Sequence, residues 1–175
     1  ARDYLNEQVA DTAEALQGAR DIIAETVSDD ARCRAELRRF YHAFGQVRSV
    51  GAKEEDSVYS PYYDFSEPVS KIAGHRVLAL NRGEREGDLK VNIEVDPERA
   101  GALCARLFAR EKNGGACAQQ VLQAALDAYK RLIHPSLDTE IRTELTDAAN
   151  EGAITVFGDN LRQLLLQPPI KGKVA

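Results

Sequence analysis

The groups in this chain that could do chemistry are few and scattered. His42, His75 and His134 stand apart, with no H-E-x-x-H or H-x-x-x-H spacing that would set two imidazoles around a metal on one helix face. Cys33, Cys104 and Cys117 are odd in number, widely separated and free of any C-x-x-C spacing. Each sits in a helical pattern near alanines, where a buried thiol packs as a small apolar group. No serine lies in a G-x-S-x-G turn. The run "NRGEREG" carries Gly83 and Gly87 but lacks the G-K-[ST] ending of a phosphate loop, and it follows a helical pattern rather than a strand. The carboxylate pairs Asp29–Asp30 and Glu54–Glu55 lie in polar runs that read as solvated surface. His134, at a helix end before Pro135, reads as a partner for the negative end of that helix. The expectation is no catalytic residue, no metal site and no cofactor: a protein that is not an enzyme.

One stretch stands out for binding. "SVYSPYYDFSEPVSKIAGHR", Ser57 to Arg76, packs Tyr59, Tyr62, Tyr63 and Phe65 close together, and it leads into a mildly basic island. Between Lys71 and Lys90 lie Lys71, His75, Arg76, Arg82, Arg85 and Lys90 against Glu84, Glu86 and Asp88. Rings beside a basic strip are how single-stranded nucleic acid is held, which makes Arg76, Arg82, Arg85 and Lys90 with Tyr62 and Tyr63 the candidate contact residues. The favoured alternative is a folding bracket. Pro61 and Pro68 stiffen the segment, Asp64 and Ser66 can cap backbone donors, and the rings supply apolar area to anchor an irregular stretch.

The elements that must position these residues are mostly helices. Asp11 with Glu14 resembles a capping box, and Ala15, Leu16, Ala19, Ile22, Ile23 and Val27 follow at helical spacing. "SDD" at Ser28 to Asp30 ends that helix and caps a second, which carries Cys33, Leu37, Phe40, Tyr41 and Phe44 and stops at Gly45; the two are expected to form an antiparallel hairpin. "DLKVNIEVD" alternates as a strand, and its expected partner is the Val-rich segment 47–52, forming a two-stranded ribbon. Between them a short helix is expected from Ser66, with Pro68 in its first turn, to Gly74, and another over "HRVLALNRGEREG". Asp96 and Pro97 open a further helix that "KNGG" at Lys112 to Gly115 breaks. A helix through Val121 and Tyr129 runs to His134, Pro135 marks a boundary or kink, and a helical period then continues to Pro168. About thirty residues of helix reach roughly 45 Å, the length of a strut between domains. The fold class expected is mainly α: a helical body over 1–134 with its small ribbon, then a long C-terminal strut helix over 135–168.

Bulk properties set limits on all this. Hydrophobic residues are 43% and charged residues 29% of 175, the composition of a soluble globular domain with a real core. No apolar run approaches the length of a bilayer span, and the acidic N-terminal segment does not read as a secretory signal, so the expected location is cytoplasmic and no membrane is a partner. A net charge of −5 disfavours a strong grip on nucleic acid by this chain alone. There is no methionine, and "QPPIKGKVA" does not close an element, so a piece of a longer protein is expected.

The segment Glu54 to Gly87 resembles the Tex family of bacterial transcription accessory proteins. The shared pattern is the aromatic-D-[FY]-S-E-P core at Tyr63-Asp64-Phe65-Ser66-Glu67-Pro68, then "GHR" at Gly74 to Arg76 and "LALNRGEREG". It continues through "RLIHPSLDTEIRTEL" and "VFGDNLRQLLLQPPIKGK" and so covers nearly the whole chain. Gly74 departs from the pattern, which carries a more polar residue before the His. The resemblance implies a nucleic-acid-binding (RNA or DNA) parent with RNase H-like, helix-hairpin-helix and S1 domains outside this chain. This chain would be the helical scaffold between them, with those domains and the transcription machinery as partners, and the family supplies no catalytic residue here.

Overall fold

The structure, a computed structural model, describes residues 11–53, 57–108 and 115–167. Three helices open where an aspartate satisfies the free backbone donors of a first turn. Asp11 accepts from the amides of Ala13 and Glu14 and starts α1, Thr12–Asp29. Asp30 accepts from Cys33 at 2.6 Å and starts α2, Ala31–Phe44. Asp96 accepts from Glu98 and Arg99 and starts α4, Pro97–Phe108. The remaining elements are strand β1, Gln46–Gly51; strand β2, Asp64–Pro68; helix α3, Gly74–Arg85; strand β3, Leu89–Glu94; helix α5, Ala116–Ala128; a π-helical turn over Tyr129–Ile133; and helix α6, His134–Leu165. The expected break at "KNGG" lies outside the described residues.

The fold is mainly helical with a small antiparallel sheet and a long C-terminal helix, as expected, but the sheet has three strands in the order β2-β1-β3 instead of two. The added strand β2 occupies the ground where a helix from Ser66 to Gly74 was expected. Gly51 donates to the Tyr63 carbonyl, and Val69 donates to that of Gly45, so backbone pairing with β1 outweighs the local helix-start signal of Ser66 and Pro68. Proline is tolerated because β2 is an edge strand and Pro68 is its last residue. Gly74 consequently begins α3 rather than ending a helix. β3 buries Leu89, Val91 and Ile93 and exposes Lys90, Asn92 and Glu94, the alternation its sequence predicts.

The chain forms two compact units. The first takes in the chain up to Arg48, Ser66–Lys71 and Asn92–Arg142. Here α1 packs chiefly on α5 rather than on α2, so the expected α1–α2 hairpin is not the main pairing. α4 also packs on α5, and Gly101 permits the approach: a Cβ there would lie 2.8 Å from Leu126 Cδ2. Cys33 and Cys104 are buried with their sulfurs 3.4 Å apart, and the hydrogen bond that Cys104 donates to Cys33, together with burial, raises the Cys104 thiol, so it stays protonated. They are packing residues, as read from sequence. Cys117 is exposed, against expectation, because its turn of α5 faces outward.

At the centre of this unit the Tyr41 hydroxyl is hydrogen-bonded to Tyr129 Oη at 3.2 Å and to His134 Nδ1 at 2.5 Å. His134 therefore serves a buried side-chain network at the start of α6, not a helix C-terminus. Pro135 lies within a helix that runs without a break from α5 into α6, and the wider π turn immediately before it accommodates its ring and missing N–H. The Asp138 carboxylate accepts from the Ile93 amide at 2.6 Å.

The second unit comprises Ser49–Phe65, Ile72–Val91 and the chain from Thr143 onward. α3 meets α6 closely at Gly74, where an added Cβ would lie 3.2 Å from Ala149 Cα, and Asn81 donates to Thr146 Oγ1 at 2.8 Å. That tight approach gives Gly74 a packing reason for its departure from the family pattern.

Burial, with the Tyr129 hydroxyl second, pushes the Tyr41 phenol far above its ordinary value. A free phenol ionises near about pH 10, whereas the folded one stays protonated, so unfolding releases a proton above that pH and stability falls as pH rises. Tyr41→Phe is expected to remove part of that alkaline loss, while costing about 1–3 kcal/mol at neutral pH by orphaning its partners. Urea denaturation across pH 7 to 11 measures both.

Candidate nucleic-acid interface

The aromatic segment is built inside the second unit, and its rings face their own neighbours. Tyr59 is buried and donates to Glu86 at 2.8 Å. Tyr63 donates to Ser57 Oγ at 3.0 Å, and its ring lies 3.0 Å from where a Cβ on Gly51 would stand. Tyr62 meets Phe65 edge-on with centroids 5.5 Å apart, and its carbonyl accepts from the buried Ser49 hydroxyl at 2.8 Å. Arg76 stands 5.9 Å from the Phe65 centroid. Tyr62, Tyr63 and Phe65 are half-buried, not an open stacking platform.

The basic candidates are divided among several directions. Arg82 donates to Glu86 at 2.8 Å from one turn away on α3. That bond, and the one from Tyr59, hold the Glu86 carboxyl below the usual carboxylate range. Arg85 is exposed in the last turn of α3, and it projects about 180° around the helix from Arg76. Lys90 is on the exposed face of β3. The structure thus brings Arg76 to the rings, ties Arg82 to a carboxylate, and leaves Arg85 and Lys90 free of the aromatic cluster.

Glycine sets the packing of this bracket. A Cβ on Gly83 would lie 2.6 Å from Leu89 Cδ1 and 3.0 Å from Tyr59 Cδ1, so α3 lies against both residues only because position 83 has no side chain. Gly87, with φ +77°, then turns the chain into β3 in a conformation glycine adopts at no steric cost. Beside the bracket is a hollow of about 450 Å³ lined by Val58, Tyr59, Leu78, Ala79, Arg82 and Glu86. No sequence pattern marks this hollow, because segments about twenty residues apart in the chain come together to line it. Among the described residues no group of three or more His, Cys, Asp or Glu is placed to hold a metal, and no helix is long and apolar enough to cross a membrane.

Gly83→Val is expected to cost about 1–3 kcal/mol through overpacking against Leu89 and Tyr59. Tyr59→Phe should cost about 1 kcal/mol by removing the bond to Glu86. The shift in urea midpoint reads both, and a Gly83→Val midpoint at or above wild type contradicts the packing account.

The family description "Tex central region-like" matches residues 1–157. The chain is 42% identical over 180 residues to the Bacillus subtilis (strain 168) protein YdcI, covering 99% of this chain and 25% of that protein. It is 32% identical over 180 residues to the transcriptional accessory protein Tex of Neisseria gonorrhoeae, covering 97% and 23%. It is 30% identical over 175 residues to the human S1 RNA-binding domain-containing protein 1, covering 89% and 17%. The chain therefore spans about a quarter or less of the length of these relatives.

Proposed function

The chain belongs to the Tex family as its central region, and we propose that it is a non-enzymatic helical scaffold within a longer nucleic-acid-associated transcription accessory protein. In this reading α6 is the strut, and it holds RNase H-like, helix-hairpin-helix and S1 domains that lie elsewhere in the full-length protein.

One observation carries the proposal. From Asn150 to Gln167 every residue is exposed, yet Ile154, Phe157, Leu161, Leu164 and Leu165 recur at spacings of three and four. Ile154 is 71% exposed, Phe157 67% and Leu165 75%. A helix face of this composition is stable in water at a cost, and such faces mark surfaces that another body covers. The groove of about 680 Å³ between Gly74, His75 and Leu78 of α3 and Ala149, Val156 and Phe157 of α6 continues the same apolar side. Relatives about four times longer have ample chain to cover it.

A second reading, a weak RNA or DNA contact by Arg76, Arg82, Arg85 and Lys90 with Tyr62 and Tyr63, draws support from the exposure of Arg85 and Lys90 and from relatives named for S1 RNA binding. The paired state of Arg82 and the engaged rings make it the weaker of the two.

The test replaces Ile154, Phe157 and Leu161 together with Glu, both in the 175-residue chain and in a full-length family protein carrying it. The side chains are exposed in the chain, so its melting temperature should change little, within about 0.5 kcal/mol per site. The full-length protein should lose protease resistance along α6 and melt several degrees lower. An unchanged full-length protein sinks the strut reading. A loss of RNA affinity on changing Arg85 and Lys90 to Glu, with the α6 variant unaffected, favours the contact instead.

A further inference from the structure

A different surface, on the first unit, carries chemistry that the scaffold reading leaves unused. α4 buries Ala100, Gly101, Cys104 and Ala105. Gly101 against Leu126, and Cys104 against Cys33, fix the rotation of the helix. The opposite stripe, Arg99, Ala102, Leu103 and Arg106, is thereby held outward at spacings of three, four and seven. Beside it, Phe40 and Phe44 of α2 meet one turn apart with centroids 5.1 Å apart and ring planes tilted by 46°, and Phe44 is 52% exposed at the end of its helix.

The Arg99 guanidinium carbon stands 4.8 Å from the Phe44 centroid and 5.6 Å from that of Phe40. A guanidinium over a ring uses its flat face for the contact and keeps its N–H edges free for a planar acceptor. Arg106 lies about 10.5 Å further along the helix axis at 1.5 Å per residue. Between the two arginines runs a groove of about 320 Å³ lined by Phe40, Arg99, Ala102, Leu103 and Arg106. Other arginines of this unit are matched to carboxylates: Arg38 to Glu140, Arg39 to Glu36, Arg48 to Glu94, and Arg131 to Asp21 and Asp127. Arg99 and Arg106 have no ion pair among the described residues, in a chain whose net charge is −5.

We propose that this face of α2 and α4 is a docking site for a short acidic segment of a partner protein, with two carboxylates flanking one aromatic or large aliphatic side chain. The carboxylates meet the forks of Arg99 and Arg106, and the apolar side chain enters the groove over Ala102 and Leu103. A peptide in the polyproline II form advances about 3.1 Å per residue and returns to the same side every third residue, so the arginine separation corresponds to acidic residues three positions apart with the anchor between them. Bidentate geometry suits a carboxylate on each guanidinium. A nucleic acid fits less well, because its affinity draws on many clustered cations, and this face offers two on an acidic chain. The site is built from α2 and α4 of the first unit and shares no residue with the exposed stretch of α6 from Asn150 or with the aromatic bracket, so it stands or falls independently of the scaffold reading.

The probe is a fluorescein-labelled octapeptide, SGESFEGS, titrated against the 175-residue chain by fluorescence anisotropy at low salt. Binding in the range of about 10–100 µM is expected, the strength of a small transient contact. Arg99→Ala and Arg106→Ala should each weaken it about fivefold, the scale of one exposed charge pair. Arg99→Lys should fall between, since the ammonium keeps the charge without the fork. Phe44→Ser should weaken it by loosening the seat of Arg99. Arg39→Ala, an exposed arginine paired with Glu36, should leave affinity unchanged. All these sites are at the surface, and thermal melts confirm that each variant folds. Four results each overturn the proposal: no binding up to about 1 mM, equal binding of the glutamine peptide SGQSFQGS, unchanged affinity in Arg99→Ala, or decathymidylate binding more tightly than the peptide.

Discussion

A buried hydroxyl that has to be paired organises the first unit. Tyr41 sits with no exposed surface, and a phenol removed from water without a partner loses much of the benefit of its ring. Tyr129 and His134 supply the partners, so the last full turns of α2, the π turn and the first residue of α6 must converge at one point. The π turn places Tyr129 and Ile133 inward just before a proline that could not donate to an ordinary ladder. Around this point Leu37, Ile133, Leu137 and Ile141 are fully buried, and Asp138 of the same stretch takes the amide of Ile93. No buried side-chain nitrogen or oxygen among the described residues is left without a partner. The hub is thus polar at its centre and apolar around it, and either part would be costly without the other.

The second unit is held by absence of side chains as much as by their presence. Gly51, Gly74 and Gly83 each sit where a Cβ would press on Tyr63, Ala149 or Leu89. These contacts bring backbone and rings near enough for the hydroxyls of Tyr59 and Tyr63 to find Glu86 and Ser57. The aromatic stretch is accordingly a bracket first, and the arginines after it are spent differently: one over a ring, one on a carboxylate, one outward. The same unit includes the final turns of α6, whose apolar residues are exposed among the described residues. The described buried polar groups are thus satisfied while Phe157 and Leu165 stay exposed, and the proposed scaffold role rests on that contrast.

Much of this was legible because it is local. The aspartate caps at positions 11, 30 and 96, the stop at Gly45, the turn at Gly87 and the alternation of β3 all rest on interactions within a few residues, which sequence spacing reports directly. The elements that were misread depend on distant partners. Ser66 to Pro68 has the residues of a helix start, and it became a strand because β1 offered a backbone edge through bonds that span twelve positions, Gly51 to Tyr63, and twenty-four, Gly45 to Val69. His134 looked like a helix terminus because its real partner, Tyr41, is ninety-three positions earlier. Cys117 looked buried by analogy with the other two cysteines, and only the rotation of α5 exposes it.

For the candidate sites the division is sharper. Sequence alone determined the family, the mainly helical class, the long final helix and the types of residue available for binding, because those follow from composition, motif and period. The arginines' long-range partners were decided only by tertiary structure. Arg82 pairs with Glu86 four positions on, at the C-cap of α3, a local contact, whereas Arg99 is seated on Phe40 and Phe44, more than fifty positions earlier in the chain. The physical reason is that a charge acquires its role from what it is desolvated against and paired with, and packing brings those neighbours together from parts of the chain whose separation leaves no mark on the local pattern.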